Sequence, residues 1–182
     1  MNIYVIICII VALIASIIIF LINIYNKYQW VLIKIKKGEN NIESFLNIKY
    51  DTLMRYFEFL KSNITVDEDD FEEYKLFNTE VSLNKLNDKI IDLKNLINRY
   101  MDNNEELYKN ETITKINEEL YNINLSINSS KKYYNEHVAE YNNLCQSYPS
   151  KIIANIFKYK TKSFIDEDAP DNLKILNQEE QS

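Results

Sequence analysis

Twenty consecutive residues, Ile3 to Ile22, limit what this chain can become more than any other feature. They are Ile, Val, Leu, Ala, Phe, Tyr and Cys throughout, interrupted only by Ser16. As a helix the stretch measures about 30 Å, the thickness of a bilayer's hydrocarbon core. A helix satisfies every backbone amide and carbonyl internally, as lipid demands, and Ser16 can bond back to its own preceding turn. The expectation is one membrane-spanning helix that meets the lipid bilayer through residues 3–22.

A cleaved signal peptide would need a basic n-region, a shorter apolar core and small residues at a cleavage site, and none of these is present. Only Met1 and Asn2 precede the apolar run, whereas Lys27, Lys34, Lys36 and Lys37 follow it closely. By the positive-inside rule the N-terminus then lies outside and the remaining chain in the cytoplasm, as in a single-pass protein of the cell membrane. Tyr4 at one edge, and Tyr25, Tyr28 and Trp30 at the other, suit aromatic belts, with a bundle contact as the alternative for Trp30. Cys8 lies in the span and Cys145 far beyond it, so no intramolecular disulfide is expected and each reads as a small hydrophobe.

Three segments follow: an anchor over 1–25, a helical domain over 26–165 and a polar tail over 166–182 that is expected to be disordered. The part beyond the anchor is about 155 residues, enough to bury a core of its own. One Gly and two Pro leave too few turn residues for a sheet protein and favour long helices. The fold class is therefore all-α: a single-pass transmembrane helix followed by an elongated antiparallel bundle of three long arms. The second arm is open to a break that would give four helices.

Apolar spacing marks the arms. Ile35, Ile42, Leu46, Tyr50, Leu53, Phe57, Leu60 and Ile64 fall mostly three or four apart, with Gly38 as a place where the helix can bend or break. A turn is expected at Ser62 to Thr65, and the acidic run Asp67 to Glu73 suits a helix N-terminus rather than a metal loop, lacking the Gly and ligand spacing of an EF-hand. Leu83, Leu86, Ile90, Leu93, Ile97 and Tyr100 form a seam, with a weaker pattern near Asn78 and Thr79. The third arm is expected from about Leu107 to Tyr148 along Ile113, Ile116, Leu120, Ile123, Ile127, Ser130, Tyr134, His137 or Val138, Tyr141 and Cys145, closing at Tyr148, and Pro149 ends it. Beyond it, Ile152, Ile153, Ile156 and Phe157 are flanked by Lys151 on one side and Lys158, Lys160 and Lys162 on the other. This short basic amphipathic stretch either packs on the bundle end or touches anionic lipid through its lysines.

The run Tyr133, Tyr134, Asn135, Glu136, His137, Val138, Ala139, Glu140, Tyr141, Asn142 has the form YYNExVxxYN. Tyr148, Pro149, Ser150, Lys151, Ile152, Ile153, Ala154 and Asn155 follow, then Phe164 with Asp166, and Ala169 with Pro170. This resembles the C-terminal signature of the LemA family. Leu107, Asn110, Glu111, Ile113, Ile116, Glu118, Glu119 and Leu120 resemble a second family segment. Tyr25-Asn26 and Lys49-Tyr50-Asp51 with Leu53 are similar to two further motifs. The resemblance implies a short outer N-terminus, one anchor and a cytoplasmic helical bundle; it brings no assigned activity. Departures are Met54 in place of a helix-kinking Pro, Lys131 in place of an Arg, and Lys158-Tyr159 in place of a Gly-aromatic pair.

Enzymatic chemistry finds little purchase. His137 is the single histidine, beside a core stripe, and there is no phosphate-cradling glycine loop, Cys/His metal spacing or nucleophile elbow. No catalytic, cofactor or metal residue is expected. A formal charge of -6 argues against nucleic acid as a partner. The leading expectation is an interaction scaffold for other proteins; the alternatives are a membrane structural element with a lipid-touching basic segment and, more remotely, a ligand sensor built on Asn110, Asn135 and Asn142. Tyr134, Val138, Tyr141, Tyr148, Pro149 and Ala154 are expected to be structural. Asn135 and Asn142, seven apart beside the core tyrosines, form a polar ledge that with Tyr133 and Asn110 is the candidate interaction surface.

Overall fold

The computed structural model describes residues 2–75, 81–165 and 175–176. A single helix, α1, runs from Ile3 to Asn63 without a break. At 1.5 Å per residue it is about 90 Å long. It contains no proline, and it ends where Ser62 Oγ and Asn63 Nδ2 both donate to the Phe59 carbonyl, at 2.7 and 2.8 Å. Ile64 then adopts extended backbone. Side chains thus take up a terminal carbonyl that the helix itself leaves unpaired.

The acidic run starts α2, Glu68–Lys75. Asp67 Oδ1 accepts from the Asp69 amide at 3.0 Å, the bond expected of a capping side chain, and Glu68, Asp69 and Asp70 stand in the positive first turn. Three of its carboxylates are taken up by cations from other segments: Glu68 by Lys61 at 2.7 Å, Asp70 by Arg99 at 3.2 Å and Glu73 by Lys89.

Helix α3, Leu83–Asp102, is followed by a 3-10 turn at Glu105–Lys109 and by α4, Glu111–Gln146. Contacts fix the directions. α2 returns along α1, with the Phe57 ring 5.6 Å from Phe71 and Tyr50 donating to the Tyr74 carbonyl at 2.5 Å. α3 reverses again, because Asp70 meets Arg99 and Tyr100 at one end while Glu73 meets Lys89 at the other. α4 lies antiparallel to α1: Tyr28 meets Leu144, Gly38 meets Tyr134, and Arg55 meets Glu119. An antiparallel first and last arm requires an even number of helices between them, so the second arm is two helices, the four-helix form left open by the sequence.

The three apolar stripes are the core. Ile35, Ile42, Leu46, Leu53, Phe57 and Leu60 from α1, Leu86, Ile90, Leu93 and Ile97 from α3, and Ile113, Ile123, Ile127, Val138 and Tyr141 from α4 are all buried. Gly38 is buried among them, and its place in the helix is steric. A Cβ there would stand 3.0 Å from Tyr134 Cβ and 3.1 Å from its Cα, so the residue is a site of close helix approach rather than a hinge.

By contrast, none of the apolar window of α1 is buried by the described residues, among which α1 is the one helix long and apolar enough to cross a membrane. Tyr4 and Trp30 are exposed as belt residues would be, at 72% and 52%. Tyr28 is not a belt residue: it is fully buried inside the helical domain, because α4 and α5 close over its side of α1.

After a cis Tyr148–Pro149 peptide, α5 occupies Ser150–Phe157. The chain then turns back along α4 into a two-residue strand, β1, Phe164–Ile165, which pairs antiparallel with β2, Ile175–Leu176. Apart from β2, the tail 166–182 lies outside the described residues, as do Asn78 and Thr79.

Candidate functional site

The motif residues converge where the helical domain meets the apolar N-terminal part of α1. Tyr28 on α1 donates to the carbonyls of Leu144, at 2.5 Å, and Ser150, at 3.2 Å, tying the end of α4 and the start of α5 to the first arm. Ser150 Oγ also donates to Leu144 and Ser147, both at 2.8 Å. Rings of Tyr141 and Tyr159 stand 5.9 and 5.0 Å from Tyr28, and Gln29 Nε2 donates to the Tyr159 hydroxyl at 2.9 Å. Burial pushes the Tyr28 phenol well above its ordinary range, helped by the neighbouring Cys145. The Tyr141 phenol is pushed up to about 12, again chiefly by burial. Burial likewise raises the Cys145 thiol, and the hydroxyls of Tyr141 and Tyr28 offset part of that. A buried, protonated thiol among phenols is a packing residue rather than a nucleophile.

The two ledge asparagines face this chain's own C-terminal segment. Asn142 Oδ1 accepts from the Lys162 amide at 2.8 Å and its Nδ2 donates to the Lys162 carbonyl at 2.8 Å. Asn135 does the same to Ile165, at 2.9 and 2.6 Å. Each carboxamide therefore stands in for a strand neighbour. The spacing fits, because seven helical residues advance about 10.5 Å and three extended residues about 10 Å. The Tyr134 hydroxyl adds a bond to the Ser163 carbonyl at 3.3 Å. The YN repeat is a two-point clamp on a strand, and both asparagines are buried.

The other candidate residues lie apart from it. Asn110 caps α4, its side chain accepting from the Thr112 amide at 2.8 Å, at the opposite end of that helix. Tyr133 is half-buried against the Gly38 approach, with its ring edge-on to His137 at 4.5 Å. His137 also faces Trp30, at 6.5 Å, and Glu140, at 3.5 Å. Lys34 Nζ sits 3.2 Å from the Trp30 ring centroid. Of the structural set, Tyr134, Val138, Tyr141 and Ala154 are buried, whereas Tyr148 is 76% exposed with Lys151 Nζ 5.8 Å from its ring.

α5 packs on the bundle end by one face and leaves the other open. Ile153 and Ala154 are buried, while Ile152, Ile156 and Phe157 remain 45%, 63% and 50% exposed. The Phe157 ring lies 5.0 Å from Tyr25, and an open apolar groove of about 440 Å³ runs between α5 and residues Ile18 to Tyr25 of α1. Lys158 ends α5 in the left-handed region, φ 55°, and Lys160 is exposed beyond it. Lys162 supplies the backbone that Asn142 holds.

Two kinds of residue escape a reading of the sequence. Lys49 and Lys131 are buried at 3% and 1%, on stripes that charge alone would assign to solvent. Tyr159 completes the aromatic node from a segment without periodicity.

Compared with known proteins, the chain matches no curated protein and no solved structure. One family model matches it, that of the LemA family, over residues 39–175. That range takes in the last part of α1, all of α2 to α5 and the clamped strand β1, and so the chain belongs to the LemA family.

Proposed function

We propose that this protein is a membrane-tethered helical scaffold without catalytic activity, standing on the cytoplasmic side and presenting helix surfaces to other proteins. The observation that carries this reading is the unbroken α1. From Ile22 to Asn63 it reaches about 60 Å beyond the span, so whatever docks on the domain is held at a set height and angle. Lys27, Lys34, Lys36 and Lys37 beyond the span favour the cytoplasmic orientation. His137, the one histidine, is engaged in aromatic packing.

The clamp is occupied by the protein's own strand, so the partner surface is placed elsewhere. Tyr121 and Leu125, one turn apart on α4, are 64% and 50% exposed and are the strongest anchors for it. Photocrosslinking side chains at these two positions, in full-length protein at native expression, test the reading. Reproducible protein adducts support it; their absence at both positions, together with an empty crosslinked pull-down, overturns it.

A further inference from the structure

We infer that α5 is an interfacial helix and that the groove between it and α1 holds one acyl chain of an anionic phospholipid from the protein's own bilayer. Three independent observations place the lipid there. The first is depth. The groove's floor is Ile18, Leu21, Ile22 and Tyr25, which belong to the last turns of the membrane-crossing segment and the residues just after it. A helix packed against those residues stands at the boundary between hydrocarbon and headgroups, whatever the tilt of α1.

The second is polarity. The groove is apolar, and Ile156 and Phe157, which form its α5 wall, are 63% and 50% exposed. In water these side chains would be a liability, but at that depth they are solvated by lipid tails. The groove is thus continuous with the lipid-facing surface of residues 3–22, and the molecules most concentrated at its mouth are phospholipids. The third is charge. Lys158 and Lys160 follow the apolar turn directly, Lys151 stands at its start, and Lys27 lies on α1 above Tyr25. None of these lysines lines the groove, and Lys27 lies 3.8 Å from Glu140, but basic residues close in sequence to an apolar slot match an anionic headgroup attached to an acyl chain. Lys158 places its backbone in the left-handed region to end α5, which turns the chain back toward α4 at headgroup level.

This proposal stands apart from the scaffold reading, since it concerns the lipid rather than any protein partner. It is tested on full-length protein in nanodiscs, with Trp30→Phe removing the single native tryptophan and Ile156→Trp placing the probe; Phe157→Trp serves as a second probe position. Lipids brominated high on the acyl chain are expected to quench both probes. Phosphatidylglycerol is expected to be retained through detergent exchange in preference to phosphatidylcholine, and Lys151→Gln, Lys158→Gln and Lys160→Gln together to lower that preference about five-fold or more. Quenching with the lysine-dependent preference supports the proposal. Quenching without any anionic preference overturns the headgroup assignment, and absence of quenching at both probes, with helicity intact, overturns the groove as a lipid site.

Discussion

The side-chain amide of Asn135 holds the backbone of Ile165 from both sides, donating to its carbonyl at 2.6 Å and accepting from its amide at 2.9 Å. Asn135→Ala leaves two buried backbone groups without these partners, and the expected loss is about 1 to 3 kcal/mol of stability. Asn135→Asp keeps the acceptor but turns a carboxylate toward the Ile165 carbonyl, so it is expected to be no better. Amide hydrogen exchange at Lys162 and Ile165 checks this: both exchange faster in the double variant Asn135→Ala, Asn142→Ala. Unchanged protection would mean that the strand is held by something else.

How far this arrangement is legible in the sequence depends on the range of the interaction. The apolar N-terminal helix, the three stripes and the turn after Asn63 follow from composition and periodicity, local properties. The ledge residues lie seven apart on α4, but their partner lies 20 to 30 residues downstream in a segment with no period, so a clamp reads as a free surface. Tyr28 sits among belt-like aromatics, and only the return of α4 distinguishes lipid from core. With Met54 and no proline along its length, α1 runs unbroken.

Gly38→Ala would ordinarily add about 1 kcal/mol in a helix interior. Here the new methyl meets Tyr134 Cβ at 3.0 Å and Cα at 3.1 Å, and backbone on a packed helix yields little. The gain is expected to vanish, and Gly38→Val to destabilise by about 1 to 3 kcal/mol as overpacking does. Chemical denaturation of the two variants decides it; a stabilised Gly38→Val would remove the close approach as the reason for the glycine.

Lys158 adopts φ 55° while the Tyr159 amide bonds to the Ala154 carbonyl at 2.9 Å, a helix ending that glycine fits without strain. Lys158→Gly is expected to raise stability by about 1 kcal/mol. A lower melting temperature for this variant would show that the lysine side chain contributes more than its backbone costs.

Alkaline pH should unfold the domain cooperatively. Burial pushes the phenols of Tyr50, Tyr74 and Tyr141 up to about 12 from the ordinary 10.0. At lower pH both states keep these protons and the stabilisation is whole. From pH 10 to about 12 the unfolded chain binds fewer protons than the folded one, so stability falls by about 1.4 kcal/mol per pH unit for each group. Phenolate absorbance and loss of helicity are therefore expected to rise together in that window. Absorbance that saturates while helicity is intact would contradict the buried assignments.

The most direct test of α1 as a single strut joining span to domain is a spin-label distance across Gly38. Asn26 and Ser44 are exposed and eighteen positions apart, five full turns, so labels there share one face about 27 Å apart. With Cys8→Ser and Cys145→Ala as background, full-length protein in nanodiscs is predicted to give one narrow distribution at that distance. A broad or two-peaked distribution reaching shorter distances would show a hinge at Gly38 and contradict the rigid link.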